Sequence, residues 1–351
     1  MKLAIVIDSD NCATLLQQTI IEGSEHSISW VANNESDALA MNIKQPVDLI
    51  LLGLLSANID GATITQKIMD SSPCAILIVT SDVDQNANMI FSSMASGALD
   101  VIQSPLNNLN CDSKNSFTAE LLNKFSIVER LIKKNTQPAL DLTDLQDTVD
   151  NSFPIVCIGA STGGPGSLIT LLNDIPADSN ATYVIIQHVD KNFIGGLAEW
   201  LNSSVGLSVT VAEQNQQPKP GHVYIAGGDE HLLINNKLAF EYTPEPVDYS
   251  YRPSIDIFFN SVCENWSGTK LGVLLTGMGD DGAQGLLHLK QHGAYTIAQD
   301  EETCAVFGMP RAAIKLNAAA AVLPINSIAG RITRKLTQIS ISPVEDSTSI
   351  L

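Results

Sequence analysis

The chain has 351 residues, 44% of them hydrophobic and 16% charged, which is enough apolar material for two cores and too much for a disordered polymer. Its formal net charge of −19 argues against nucleic acid or anionic lipid as a main partner. No stretch reaches the roughly 20 apolar residues of a membrane span, the start MKLAIVIDSDN reads as a first strand and not a signal peptide, and six scattered cysteines without a CxxC pair or a zinc-like Cys/His spacing suit reduced thiols in a cytoplasm.

Along the chain, segments 3–7, 48–52, 75–80 and 101–103 are short runs rich in Ile, Val and Leu that read as buried strands. Helical candidates at 11–22, 35–45, 62–71 and 86–96 lie between them, an alternation that implies a parallel sheet with helices on both faces. Residues 117–134 place Leu121, Leu122, Phe125, Val128, Leu131 and Ile132 at helical spacing and close a first domain of residues 1–134. The polar, acidic stretch 135–152 reads as a linker. A second α/β series fills 153–340, with parallel strands expected at 155–158, 183–187, 271–275 and 295–298. Segments 223–226, 232–234 and 238–241 read as hairpin elements, with Asn235-Asn236 between the last two, and 341–351 as a frayed tail. The expected fold class is therefore α/β, built from two doubly wound parallel-sheet domains.

Three segments of the second series carry chemistry: GASTGG around Ser161, QHV around His188 and LLTGMGDDGAQG around Asp281. A serine among small residues, a later histidine and a later carboxylate are the parts of a nucleophile, a base and a group that orients the base. They lie 27 and 93 residues apart, so only tertiary structure can assemble them. Each follows an apolar strand, which would bring all three to the carboxyl-terminal rim of one sheet. The spacing Gly159-x-Ser161-x-Gly163 allows a sharp turn that exposes the hydroxyl. The same glycines could cradle a phosphate, but neither G-x-G-x-x-G nor a Gly-Lys-Ser/Thr run is present. Asp280 and Asp281 are adjacent, and spacing alone does not choose between them; no ligand cluster accompanies them to make a metal site.

These motifs, together with VYIAGGDEHLLI, RPSIDIFFNSV and VFGMPRAAI in the same order, resemble the catalytic domain of the chemotaxis protein-glutamate methylesterases, the CheB family. The resemblance covers about 153–340 and implies a doubly wound domain with a catalytic triad of Ser161, His188 and Asp281. It assigns the backbone N–H of Met278 as an oxyanion donor, with Thr162 as a supporting neighbour, and leaves His231 unassigned. Gly227 stands where the family has a proline. The implied reaction is hydrolysis of γ-methyl esters of glutamates on the cytoplasmic helices of chemoreceptors, with deamidation of glutamines as a second activity and no cofactor. Other proteins of a chemosensory pathway, such as its kinase, are implied as further partners, and the alternative to an enzyme is a non-catalytic signalling adaptor.

Residues 1–134 resemble a response-regulator receiver in layout, through AIVIDSD, DLILLGLLSANIDG, ILIVTSD and ALDVIQSP. The parts that handle phosphate are degraded. Gly53 occupies the phosphoacceptor position, Ser9 replaces one acid of the metal-binding pair beside Asp8, and Ser104 stands where a lysine belongs; Thr80 is kept. The expectation is a pseudo-receiver without aspartyl-phosphate control, since glycine offers no nucleophile.

Overall fold

The structure, a computed structural model, describes residues 1–55, 59–105, 111–132, 153–247, 249 and 251–341. The linker expected at 135–152 and the tail beyond residue 341 lie outside the described residues.

The first half runs β1 (Lys2–Val6), α1 (Asp10–Gly23), β2 (Ser27–Ala32), α2 (Glu35–Lys44), β3 (Leu49–Leu54), α3 (Gly61–Ser71), β4 (Ala75–Thr80), α4 (Val83–Ala95), β5 (Asp100–Gln103) and α5 (Cys111–Ile132). Its five strands are parallel in the order β2-β1-β3-β4-β5, the doubly wound arrangement of flavodoxin-like sheets. The central strand β3, LILLGL, is buried along its whole length because helices cover both faces. Helix starts are capped as the residue types dictate: Asp60 accepts from the N–H groups of Ala62 and Thr63 at α3, and Asp82 from that of Gln85 at α4.

The second half runs β6 (Ile155–Ala160), α6 (Gly164–Asn173), β7 (Thr182–Gln187), α7 (Lys191–Ser204), β8 (Ser208–Val211), β9 (His222–Ile225), β10 (His231–Ile234), β11 (Phe240–Thr243), α8 (Ile255–Asn265), β12 (Lys270–Leu274), α9 (Ala283–Gln291), β13 (Tyr295–Gln299), α10 (Met309–Lys315), β14 (Ala321–Leu323) and α11 (Ile325–Ile341). Seven parallel strands lie in the order β14-β13-β12-β6-β7-β9-β8, and β10 and β11 form a separate antiparallel hairpin. One expectation is corrected here: segment 223–226 is no hairpin element, since β9 joins the main sheet in parallel with both β7 and β8. Strand order reverses at β6, whose neighbours are β7 on one side and the much later β12 on the other, so a crevice opens at the carboxyl ends of these strands.

The two halves share apolar surface. Helix α4 packs on α6 and α7, the Phe91 and Trp200 rings stack with centroids 5.6 Å apart, and one buried cluster continues from Ile90, Phe91 and Met94 into Leu168, Ile194 and Leu197. Gly196 lets the helices approach: a Cβ there would meet the Ala87 Cβ at 2.7 Å.

Candidate active site

Ser161 and His188 follow strands whose ends are in register, with Ala160 opposite Gln187. The His188 N–H donates to the Ala160 carbonyl at 3.0 Å, and the Gln187 side-chain amide donates to both the Ser161 and His188 carbonyls, at 2.9 and 3.0 Å. A glycine at 277 is required on the other side, because a Cβ there would sit 2.8 Å from that of Ser161. Gly163 has a left-handed φ of 76° and turns the chain from β6 into α6, leaving Ser161 at the bend.

Asp281 arrives from beyond β12 and is 4% exposed. His188 Nε2 donates to its Oδ2 at 2.9 Å. The carboxylate sits against the first turn of α8, where the Ile255 N–H donates to Oδ2 at 2.8 Å and the Asp256 N–H to Oδ1 at 3.1 Å. Ser254 Oγ, the N-cap of that helix, donates to Oδ1 at 2.9 Å. Burial pushes the Asp281 carboxyl up, but the His188 hydrogen bond and charge and the helix N–H donors outweigh it, so the group is held below the ordinary carboxylate range. With Nε2 committed to Asp281, His188 Nδ1 is buried and without a partner among the described residues, which leaves its lone pair available to take a proton. Neither the Met278 nor the Thr162 N–H has a hydrogen-bond partner among the described residues, and both adjoin this turn. Asp280, the rival of Asp281, is exposed, and its carbonyl accepts from the Ala283 N–H.

The sequence profile of the CheB methylesterase family matches residues 156–332, half of the chain and all three of these positions. The chain belongs to the CheB methylesterase family. It is 43% identical over 333 residues to protein-glutamate methylesterase/protein-glutamine glutaminase 2 of Cupriavidus metallidurans, covering 95% of this chain and 97% of that one. It is likewise 43% identical over 336 residues to the protein-glutamate methylesterase/protein-glutamine glutaminase of group 3 operon of Pseudomonas putida, covering 95% and 98%. Among solved structures, the CheB methylesterase catalytic domain of Thermotoga maritima superposes with a TM-score of 0.50 at 38% identity, covering 54% of this chain and 99% of that domain.

Two parts of this CheB-family site escaped the sequence reading. Tyr251 lies flat on His188, ring centroids 4.7 Å apart and planes 3° from parallel, and burial followed by the Asp280 and Asp281 charges holds its phenol above the ordinary range. Ser254 both caps α8 and holds Asp281. A tyrosine and a serine in a polar loop carry no local signal; their roles exist only once the loop closes over the sheet. His231, left unassigned, is fully buried and works in that loop: its Nδ1 accepts from the Ser254 N–H at 3.1 Å and its Nε2 donates to the Pro246 carbonyl at 3.3 Å. Gly227 donates its N–H to the Tyr242 hydroxyl at 2.8 Å, a bond that a proline could not make.

In the first half, Gly53, at the phosphoacceptor position expected from the sequence, has no free space beside it. Gly53 is buried, and a Cβ on it would meet Ile7 Cγ1 at 2.4 Å. Thr80 is tied down: its hydroxyl donates to the Asp82 carbonyl at 3.0 Å, and Asn86 on α4 donates to the Thr80 hydroxyl and the Leu54 carbonyl, both at 3.1 Å. This half also reaches the site, since the Gly163 N–H donates to the Leu99 carbonyl at 3.2 Å and Thr162 lines a small cavity with Leu99, Asp100, Lys124 and Val128.

Proposed function

We propose that the chain is a serine hydrolase that removes γ-methyl esters from glutamates, and deamidates glutamines, on the cytoplasmic helices of chemoreceptors, with Ser161, His188 and Asp281 as its triad. The observation that carries this reading is the half-buried His188–Asp281 pair at 2.9 Å, with the opposite ring nitrogen buried and left free beside the Ser161 turn. In the mechanism, Ser161 Oγ attacks the ester carbonyl carbon while His188 Nδ1 takes its proton. Asp281 holds the tautomer and stabilises the imidazolium. The N–H groups of Met278 and Thr162 receive the developing oxyanion, an interaction worth about 3–4 kcal/mol per donor in comparable sites. The imidazolium returns its proton to the departing methoxide, or to the departing amide nitrogen of a glutamine substrate. Water then attacks the acyl-serine, His188 takes its proton, and glutamate and Ser161 are regenerated.

The first half acts in this reading as a pseudo-receiver. Gly53 cannot form an acyl phosphate, and Ile7 fills the space a carboxyl would need. Its docked α4 face and the Leu99 contact beside Ser161 restrict the approach of a receptor helix, so release of this face by a partner, not phosphate, admits substrate. The working place is the cytoplasm, where receptor signalling helices lie; no helix among the described residues is long and apolar enough to cross a membrane.

Methanol release from methylated receptor membranes tests the reading. Ser161→Ala is expected to abolish it while leaving the fold intact, and a variant that keeps the wild-type rate would remove serine chemistry from the account.

A further inference from the structure

Helices α8 and α9 pack in parallel behind the triad carboxylate. Near their starts Asp281 is held by the N–H groups of Ile255 and Asp256, and the Asp256 carboxylate accepts from the Gly285 N–H at 2.6 Å. Toward their far ends a different set of side chains meets. Cys263, in the last turns of α8, faces His288 near the end of α9 and His292 just past it, and one donor atom from each lies within 4.8 Å of the other two.

We propose that Cys263, His288 and His292 form a binding site for a soft divalent cation of the Zn²⁺ type, separate from the catalytic residues. The donor set is one sulfur and two imidazole nitrogens, which suits zinc and its neighbours and does not suit Mg²⁺ or Ca²⁺, whose ligands are oxygens. The two histidines are four residues apart across the last turn of one helix, so they share a face, with the cysteine opposite on the neighbouring helix. Sequence spacing misses the trio because the cysteine comes 25 residues before the first histidine.

The tautomers are a second, independent observation. His288 Nδ1 lies 2.9 Å from Asn260 Oδ1, and His292 Nδ1 lies 2.9 Å from the His288 carbonyl oxygen. Neither oxygen has a proton to give, so both Nδ1 atoms carry hydrogen and donate. Both Nε2 atoms therefore carry lone pairs, and neither has a partner among the described residues. This is how outer groups fix histidines that bind metal, with the second ring N–H held by an amide or carbonyl oxygen. The thiol is not in a disulfide and is half-buried, and among the described residues it makes one weak hydrogen bond, Sγ to the His288 carbonyl at 3.8 Å.

Metal–nitrogen distances of about 2.0–2.1 Å and a metal–sulfur distance of about 2.3 Å put tetrahedral ligands about 3.3–3.6 Å apart, so the trio closes by about 1 Å, which the exposed His292 ring can supply. On binding, the Cys263 S–H proton leaves to solvent and the sulfur lone pair bonds the cation; the imidazoles lose no proton. One proton is released per ion, and the fourth position is left for water. The bound ion ties the last turn of α9 to α8, the two helices whose starts hold Asp281.

The full-length chain is titrated with Co²⁺ and then Zn²⁺. The expected result is one Co²⁺ per chain with a thiolate-to-cobalt absorption band in the near ultraviolet, displaced by Zn²⁺, and a Zn²⁺-dependent rise in Tm. Cys263→Ser loses the band and the Tm rise, and Asn260→Leu, which frees the His288 tautomer, weakens Zn²⁺ binding about 10- to 100-fold. His222→Ala, elsewhere on the surface, changes nothing. Absence of the band in the wild type, or Zn²⁺ binding by Cys263→Ser at wild-type affinity, overturns the site. The metal-free melting curve of Cys263→Ser, matched to wild type, separates a lost ligand from a lost fold.

Discussion

Tyr251→Ala isolates a contribution that neither motif nor spacing announces. The parallel stack of Tyr251 on His188, 4.7 Å between centroids, is worth about 0.5–1.5 kcal/mol as an aromatic pair. In the proposed mechanism His188 becomes an imidazolium in the transition state, and a ring face beneath it then adds about 0.5–2 kcal/mol that the neutral ring does not receive. The second amount is the one that accelerates, because only interactions stronger in the transition state raise kcat. Losing that second amount, about 0.5–2 kcal/mol, lowers kcat about 2- to 30-fold. Tyr251→Phe keeps the ring and loses only the hydroxyl, which packs over Gly279, so it should retain most of the rate. Methanol release at saturating and at limiting receptor concentration separates the effects: positioning of His188 predicts a loss in kcat, contact with substrate a rise in KM. The reasoning fails if Tyr251→Ala keeps the wild-type kcat, or if the phenylalanine variant falls as far as the alanine one.

Gly53→Asp should not rebuild a phosphorylation site: its Cβ would press on Ile7 at 2.4 Å, costing about 1–3 kcal/mol in chemical denaturation, and a small phosphodonor with Mg²⁺ should leave no acyl phosphate. Phe91→Ala removes a fully buried ring from the contact between the halves, at a cost of about 3–5 kcal/mol, and should speed both proteolysis between them and methanol release; unchanged rates would show that the docked face restricts nothing. Asp256 gives a pH dependence of known sign. Burial first, and then the charge of Asp281, raise its carboxyl from 3.8 to about 6 despite the Gly285 N–H, so the folded state binds the extra proton and stability declines as pH rises from about 4 through 6, by about 3 kcal/mol at most. Asp281, held low, acts in the opposite sense: its contribution is present above the ordinary carboxyl value and is lost as pH falls below it. Asp256→Asn should flatten the decline between pH 4 and 6.5 in thermal melts, and an unaltered slope would assign the dependence elsewhere.

Strands buried on both faces were legible in the sequence, since β3, β6 and β7 are unbroken apolar runs. The strands that were not legible are β2, β8 and β14, and each is the edge of its sheet. An edge strand is covered on fewer sides, so its sequence need not be continuously apolar: SISWVA and SVTV mix exposed serine and threonine with buried Trp30, Ala32 and Val209. For β14 the preceding run of alanines carries a helical preference that hides a three-residue strand. The hairpin reading of segment 223–226 failed for a related reason. A short apolar strand just ahead of the β10–β11 hairpin looks like another arm of it, and only its pairing with β7 shows that it is parallel. At the site, Ser161, His188 and Asp281 lie on motifs, whereas Tyr251, Ser254 and His231 take their parts from a loop whose course no periodicity encodes.

The contact between the two halves has a physical basis in burial. Helix α4 covers apolar surface of α6 and α7, and without it Trp200, Leu197 and Ile194 would be less shielded from water. Burial of that surface, together with the Gly163 N–H to Leu99 carbonyl bond, holds the two halves together. Asn86 sits on the docked helix, and its amide donates to the Thr80 hydroxyl and the Leu54 carbonyl, tying the end of β4 to the element that contacts the second half. A protein that docks on the α4 face would have to compete for Phe91 and its neighbours, which lie in the contact between the halves.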